Sequence, residues 1–126
     1  MTIRNYMTPN PVTIGSRDML ALAHEKMEQG RFRRLPVVDD SGALIAIVTD
    51  RDLQRHTGYW STTHVDAAMV ERPITVGPDQ PVVAAAQLML QHKVGGLPVV
   101  DGSGRLIGIL TESDLLRAFS QLGKGG

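Results

Sequence analysis

Residues 33–42 read RRLPVVDDSG, and residues 95–104 read GGLPVVDGSG. In the first, the apolar run Leu35–Val38 meets the turn Asp39-Asp40-Ser41-Gly42, and a second apolar run, Leu44–Val48, follows at once. Two such runs around a four-residue Asp/Ser/Gly turn predict a β-hairpin. The recurrence is not confined to the hairpin. At an offset of 62, Ile3–Arg55 aligns with Val65–Arg117 without a gap, giving two copies of 53 residues. Shared residues include Met7/Met69, Pro11/Pro73, Thr13/Thr75, Gly15/Gly77, Met27/Met89, Asp39/Asp101, Thr49/Thr111 and Asp52/Asp114. Identity at that density over a fixed offset marks an internal duplication.

Each copy predicts the same order of elements. Pro11–Ile14 and Pro73–Val76 are β-branched runs bounded by Pro and Gly, and predict short strands. A helix should follow, with Leu20, Ala23, His24 and Met27 on one face and Val82, Ala85, Ala86 and Met89 on its counterpart. The hairpin comes next. Thr49-x-x-Asp52 and Thr111-x-x-Asp114 then open a second helix. The fold class is therefore α/β (α+β): two β-α-β-β-α motifs, at residues 1–56 and 65–120, with a polar linker at 57–64 and a flexible tail at 121–126. A unit near 60 residues removes only about 60% of its extended-chain surface from water. The two copies are thus expected to pack through their sheets with pseudo-two-fold symmetry, leaving two equivalent clefts.

Composition narrows the function classes. The 126 residues hold 13 basic and 13 acidic side chains, so the global positive field of a general nucleic-acid binder is missing. No cysteine is present, which removes disulfides, thiolate metal sites and thiol catalysis, and fits a reducing cytoplasm. No apolar run approaches the ~20 residues of a membrane span, and no signal core stands at the N-terminus.

The phrases MTPNPVTI (7–14), RRLPVVDDSG (33–42) and LIAIVTDRDL (44–53) together resemble a CBS motif, and their counterparts in the second copy do so equally. Apart from linker and tail, the chain resembles one tandem CBS pair, a Bateman module. The resemblance implies clefts that bind adenosine ligands such as AMP, ADP, ATP or S-adenosylmethionine. It also implies a homodimer, and regulation of a protein target in trans that the resemblance leaves unnamed.

Two roles meet in each Thr-x-x-Asp. As a capping box it satisfies orphan amides at the helix start. As an ionised carboxylate it is an acceptor for the vicinal hydroxyls of a ribose, the role the resemblance assigns to Asp52 and Asp114, with Thr49 and Thr111 assisting. The resemblance places Val12 and Thr13, with Leu35 and Pro36, around the adenine of one site. Ile74 and Thr75, with Gly96, Leu97 and Pro98, surround that of the other. Plain core packing accounts for the apolar members equally well. Arg33 and Arg34 carry planar guanidinium groups suited to phosphate, where the second copy has Gly95 and Gly96. The duplication has diverged into one phosphate-competent end and one neutral, roomier end. A solvated basic edge or a dimer contact is the plainer reading of the arginines.

Other leads carry nothing. Gly102–Gly108 has a G-x-G-x-x-x-G spacing and belongs to a hairpin, not to a dinucleotide-binding turn. His24, His56, His64 and His92 lack metal-ligand spacing, so no metal is expected. His24 reads as a core or interface histidine. The serines show no nucleophile-elbow context, so no catalytic residue is assigned. The expected function is a non-catalytic sensor of adenosine nucleotides. Its alternative is a ligand-free dimerisation adapter.

Overall fold

The computed structural model describes residues 1–125. Its strands are β1 (Thr8–Pro9), β2 (Arg34–Val38), β3 (Leu44–Thr49), β4 (Val70–Glu71), β5 (Gly96–Val100) and β6 (Leu106–Thr111). Its helices are α1 (Leu20–Gly30), α2 (Asp50–Gln54), α3 (Val82–His92) and α4 (Glu112–Gly125). They form two α+β units with one three-stranded antiparallel sheet each, ordered β2-β3-β4 and β1-β6-β5.

The unit boundaries cut across the repeat. One unit is Val12–Pro73; the other combines Met1–Pro11 with the chain from Ile74 onward. The start of the first copy thus supplies β1 to the sheet of the second, where Thr8 pairs with Ile109 and Pro9 with Gly108. The start of the second copy returns the exchange: Val70 pairs with Ile47 and Glu71 with Ala46.

In the Val12–Pro73 unit, Leu20, Ala23 and Met27 of α1 pack with Leu35 and Val37 of β2, Ala46 and Val48 of β3, and Leu53 of α2. In the other unit the matched set is Ala85, Met89, Leu97, Val99 and Leu110, joined by Ile3 from the N-terminal segment. Both first helices stop at a residue in the left-handed region, Arg31 (φ 56°) and Lys93 (φ 55°), whose amides bond to the carbonyls of Met27 and Met89. A side chain there is tolerated because it completes the cap.

Three expectations are corrected. Pro11–Ile14 and Pro73–Val76 are not strands. Each retains a single parallel bridge, Ile14 to Val37 and Val76 to Val99. Of the core and interface readings of His24 the core one fails: its imidazole is 43% exposed and packs on Trp60 with centroids 4.4 Å apart. Segment 57–64, the polar linker, is tied to its unit. Trp60 packs against the core and donates Nε1–H to the Leu53 carbonyl at 2.8 Å, while Leu20 N–H donates to the Thr63 carbonyl at 2.9 Å. Finally, α4 extends to Gly125, through most of the expected tail; Gly126 lies outside the described residues.

The two hairpin turns supply a pH-dependent contribution. Asp39 Oδ1 accepts from Ser41 Oγ at 2.7 Å, Ser41 N at 2.9 Å and Ala43 N at 3.0 Å. Asp101 does the same with Ser103 Oγ, Ser103 N and Arg105 N. These bonds, the serine hydroxyl's first, hold both carboxyls below the ordinary carboxylate range. A depressed folded-state pKa stabilises the fold above the unfolded value of about 4, and the contribution fades as pH falls through the folded value. Asp39→Ala and Asp101→Ala should therefore lower Tm at pH 7, with the gap to wild type closing below about pH 4. Thermal unfolding at pH 7, 4 and 2.5 checks this; a gap independent of pH contradicts it.

Candidate functional site

In the Val12–Pro73 unit, Thr49 ends β3 and caps α2. Its N–H and hydroxyl both donate to Asp52 Oδ2, at 2.8 and 3.0 Å, and Asp52 N–H donates back to Thr49 Oγ1 at 3.3 Å. Asp52 is 5% exposed. The strand head lies beside this cap: Arg34 is the register partner of Thr49, and Asp50 N–H donates to the Arg33 carbonyl at 2.9 Å. Ile14 N–H donates to Pro36 O, and the Ile14 carbonyl accepts from Val38 N–H, both at 3.1 Å, which sets Val12 and Thr13 alongside Leu35 and Pro36. Leu35 and Pro36 are buried, Thr13 is half-buried, and Val12 and Arg33 are exposed.

The second unit repeats the arrangement. Thr111 N–H and Oγ1–H donate to Asp114 Oδ2 at 2.8 and 3.1 Å, and Asp114 is 2% exposed. Gly96 pairs with Thr111, and Glu112 N–H donates to the Gly95 carbonyl at 3.1 Å. Val76 N–H donates to Pro98 O, setting Ile74 and Thr75 beside Gly96, Leu97 and Pro98. Each unit therefore gathers one full set of the sequence-predicted residues at the head of its central hairpin.

Three features escaped the sequence reading. Each Asp spends only Oδ2 on the cap. Oδ1 faces an arginine one helical turn on, Arg55 Nη1 at 3.7 Å from Asp52 and Arg117 Nη2 bonded to Asp114. Both arginines are mostly exposed, so these ion pairs are weakly held and can yield Oδ1 to a hydroxyl donor. Their identity in the two copies was the available signal. Lys26 is the second feature: its Nζ donates to the Thr13 carbonyl at 2.6 Å. The third is an open groove of about 470 Å³, lined by Phe32, Trp60, Met27 and Leu53 with Arg31 and Arg33 among its polar members.

A buried carboxylate with one committed oxygen is suited to holding hydroxyl groups in a fixed direction. Among the described residues no cluster of His, Asp or Glu could hold a metal ion. No helix among them is long and apolar enough to cross a membrane.

The two α+β units share one architecture, each with a Thr–Asp pair at its hairpin head. Residues 3–58 and 65–121 match the CBS domain family, and the chain belongs to it. Over 127 aligned residues it is 38% identical to a CBS domain-containing protein of Dictyostelium discoideum, covering 90% of this chain and 88% of that one. It spans far less of its enzyme relatives. It is 34% identical to a homoserine O-acetyltransferase of Methanococcoides burtonii but covers 24% of its length. It is 37% identical to an inosine-5'-monophosphate dehydrogenase of Mycobacterium tuberculosis but covers 21%. Among solved structures, CBSX2 in complex with AMP superposes with a TM-score of 0.86 at 32% identity, covering 97% of this chain and 98% of that chain. The CBS domain pair of protein MJ0100, in complex with 5'-methylthioadenosine and S-adenosyl-L-methionine, gives 0.87 at 27% identity, with 96% and 97% covered.

Proposed function

We propose that this chain is a non-catalytic sensor that binds an adenosine ligand and passes a change of conformation to a protein target in trans. The carrying observation is the buried Asp of each unit, with Oδ2 spent on the helix cap and Oδ1 paired with a mostly exposed arginine. A ribose diol replaces the guanidinium at Oδ1, and the base lies against Val12–Thr13 in one unit or Ile74–Thr75 in the other. Arg33 and Arg34 favour a phosphorylated ligand in the first; Gly95 and Gly96 leave the second suited to an uncharged or cationic one. AMP bound to CBSX2 and the adenosyl compounds bound to protein MJ0100 support both ligand classes. The ligand acts by its differential affinity for two conformations. The module works as a cytoplasmic homodimer, which covers the exposed Leu116, Phe119 and Leu122 of α4.

Calorimetry of ligand-stripped protein against AMP, ADP, ATP, 5'-methylthioadenosine and S-adenosylmethionine tests this, with stoichiometry per chain. Saturable binding of at least one is expected. Silence across the panel favours the second reading, a ligand-free dimerisation adapter, for which the exposed apolar face of α4 speaks.

A further inference from the structure

The main-chain carbonyls of Thr13 and Thr75, matched in the repeat, are not equivalent. Lys26 Nζ sits 2.6 Å from Thr13 O in a part-buried setting. Its repeat equivalent is Leu88, which packs against the core of its own unit and brings no donor to Thr75. One unit thus presents an ammonium at the segment beside Pro36. The other presents a main-chain acceptor at the matching place beside Pro98.

An ammonium is a donor only, with three protons. The 6-amino group of adenine is also a donor, and at Thr13 O it meets a cation already seated on that oxygen. The 6-oxo group of guanine or hypoxanthine is an acceptor, and the O6/N7 edge of guanine is a regular partner of lysine. The remaining ammonium protons suit it. At Thr75 O the preference reverses, because a carbonyl accepts from a 6-amino group and repels a 6-oxo group.

We infer that the Val12–Pro73 unit selects a 6-oxopurine nucleotide over an adenine nucleotide, with Lys26 reading position 6, while the second unit keeps the preference for adenine. The inference rests on the proposed placing of the base along Val12–Thr13 and Ile74–Thr75. Arg33 and Arg34 serve the phosphate of the 6-oxopurine nucleotide. The chain then reports on two purine classes at once.

The test is calorimetry of the whole chain with GMP, IMP and AMP, on wild type, Lys26→Leu and Lys26→Arg. Wild type should hold GMP or IMP at one site per chain roughly tenfold tighter than that site holds AMP. Lys26→Leu, which copies the second unit, should erase the preference; Lys26→Arg, which keeps a donor, should retain it. Agreement of GMP with IMP assigns the effect to the 6-oxo group; a preference for GMP that IMP does not share overturns the reading at position 6. Loss of a merely structural contact weakens all three nucleotides alike and leaves their ratio unchanged, and an unchanged ratio overturns the inference. Wild type that binds AMP or S-adenosylmethionine but neither GMP nor IMP also overturns it, with the adenosine reading intact. Binding of none of these compounds removes both.

Discussion

Asp114→Ala and Asp52→Ala should each cost the unit that carries them at least a hundredfold in nucleoside affinity, while the fold survives. A hydrogen bond to a charged acceptor contributes about 1.5–3 kcal/mol, so two ribose hydroxyls lose about 3–6 kcal/mol together. At 1.4 kcal/mol per decade that is two or more orders of magnitude. The structural loss is smaller. Each Asp also takes the Thr amide and hydroxyl into its capping box, and losing a cap costs about 1 kcal/mol. Arg55 and Arg117, mostly exposed, are left in water and not stranded, so breaking their ion pairs adds little. Binding therefore falls far more than stability. Asp→Asn at the same positions refines the comparison: the amide keeps an oxygen for the Thr cap and loses the charge, so Tm should recover while affinity does not. Calorimetry and thermal unfolding of the four variants decide it. Affinity within twofold of wild type in both alanine variants removes the aspartates from the site. Collapse of the fold in the alanine variants, together with full binding in the asparagine variants, reduces them to caps.

The parts of this molecule legible in its sequence are those set by neighbours along the chain. The Thr-x-x-Asp pattern closes within four residues, and in both copies the Asp accepts from the Thr amide and hydroxyl. The Asp/Ser/Gly turns are equally local, with Gly42 and Gly104 in the left-handed region the turn requires. What a local reading misses is decided at long range. Thr8–Pro9 becomes a strand only because β6, about a hundred residues on, offers its edge. The segments at Ile14 and Val76 hold one bridge each, to β2 and β5. Trp60 stands in a polar string, HTGYWSTTH, whose composition says connector; its ring nevertheless finds the core of its own unit. Lys26 falls off the apolar face of α1, and a long flexible side chain does not announce a carbonyl 13 residues upstream. Asp52 and Asp114 stand out in the sequence because their helix cap is a pattern. Arg55 and Arg117, one turn on, carry a weaker signal: they recur in both copies, but an exposed arginine on a helix closes no local bond that a sequence pattern shows.

Gly30→Ala should destabilise the Val12–Pro73 unit, although glycine to alanine near a helix end usually helps. Gly30 closes α1 without a positive φ, so the backbone alone predicts a gain of about 0.4–1 kcal/mol. Space reverses the sign. A Cβ on Gly30 comes within 1.9, 2.5 and 2.7 Å of three ring carbons of Phe32. Rotating one atom aside does not relieve three contacts; the whole ring must leave its seat against the core, where it also lines the groove. Overpacking of this kind costs about 1–3 kcal/mol, enough to outweigh the backbone gain. The other copy holds His92 and Val94 at these places, a larger residue where the aromatic ring is gone. The pair should therefore be coupled. Phe32→Val loses buried ring area, but adding Gly30→Ala to it should cost nothing further and restore the backbone gain. In a double-mutant cycle by urea unfolding, the double variant should be more stable than the sum of the singles by about 1–3 kcal/mol. Additivity within about 0.5 kcal/mol means that Phe32 yields freely, and that the glycine is kept for some reason other than the ring.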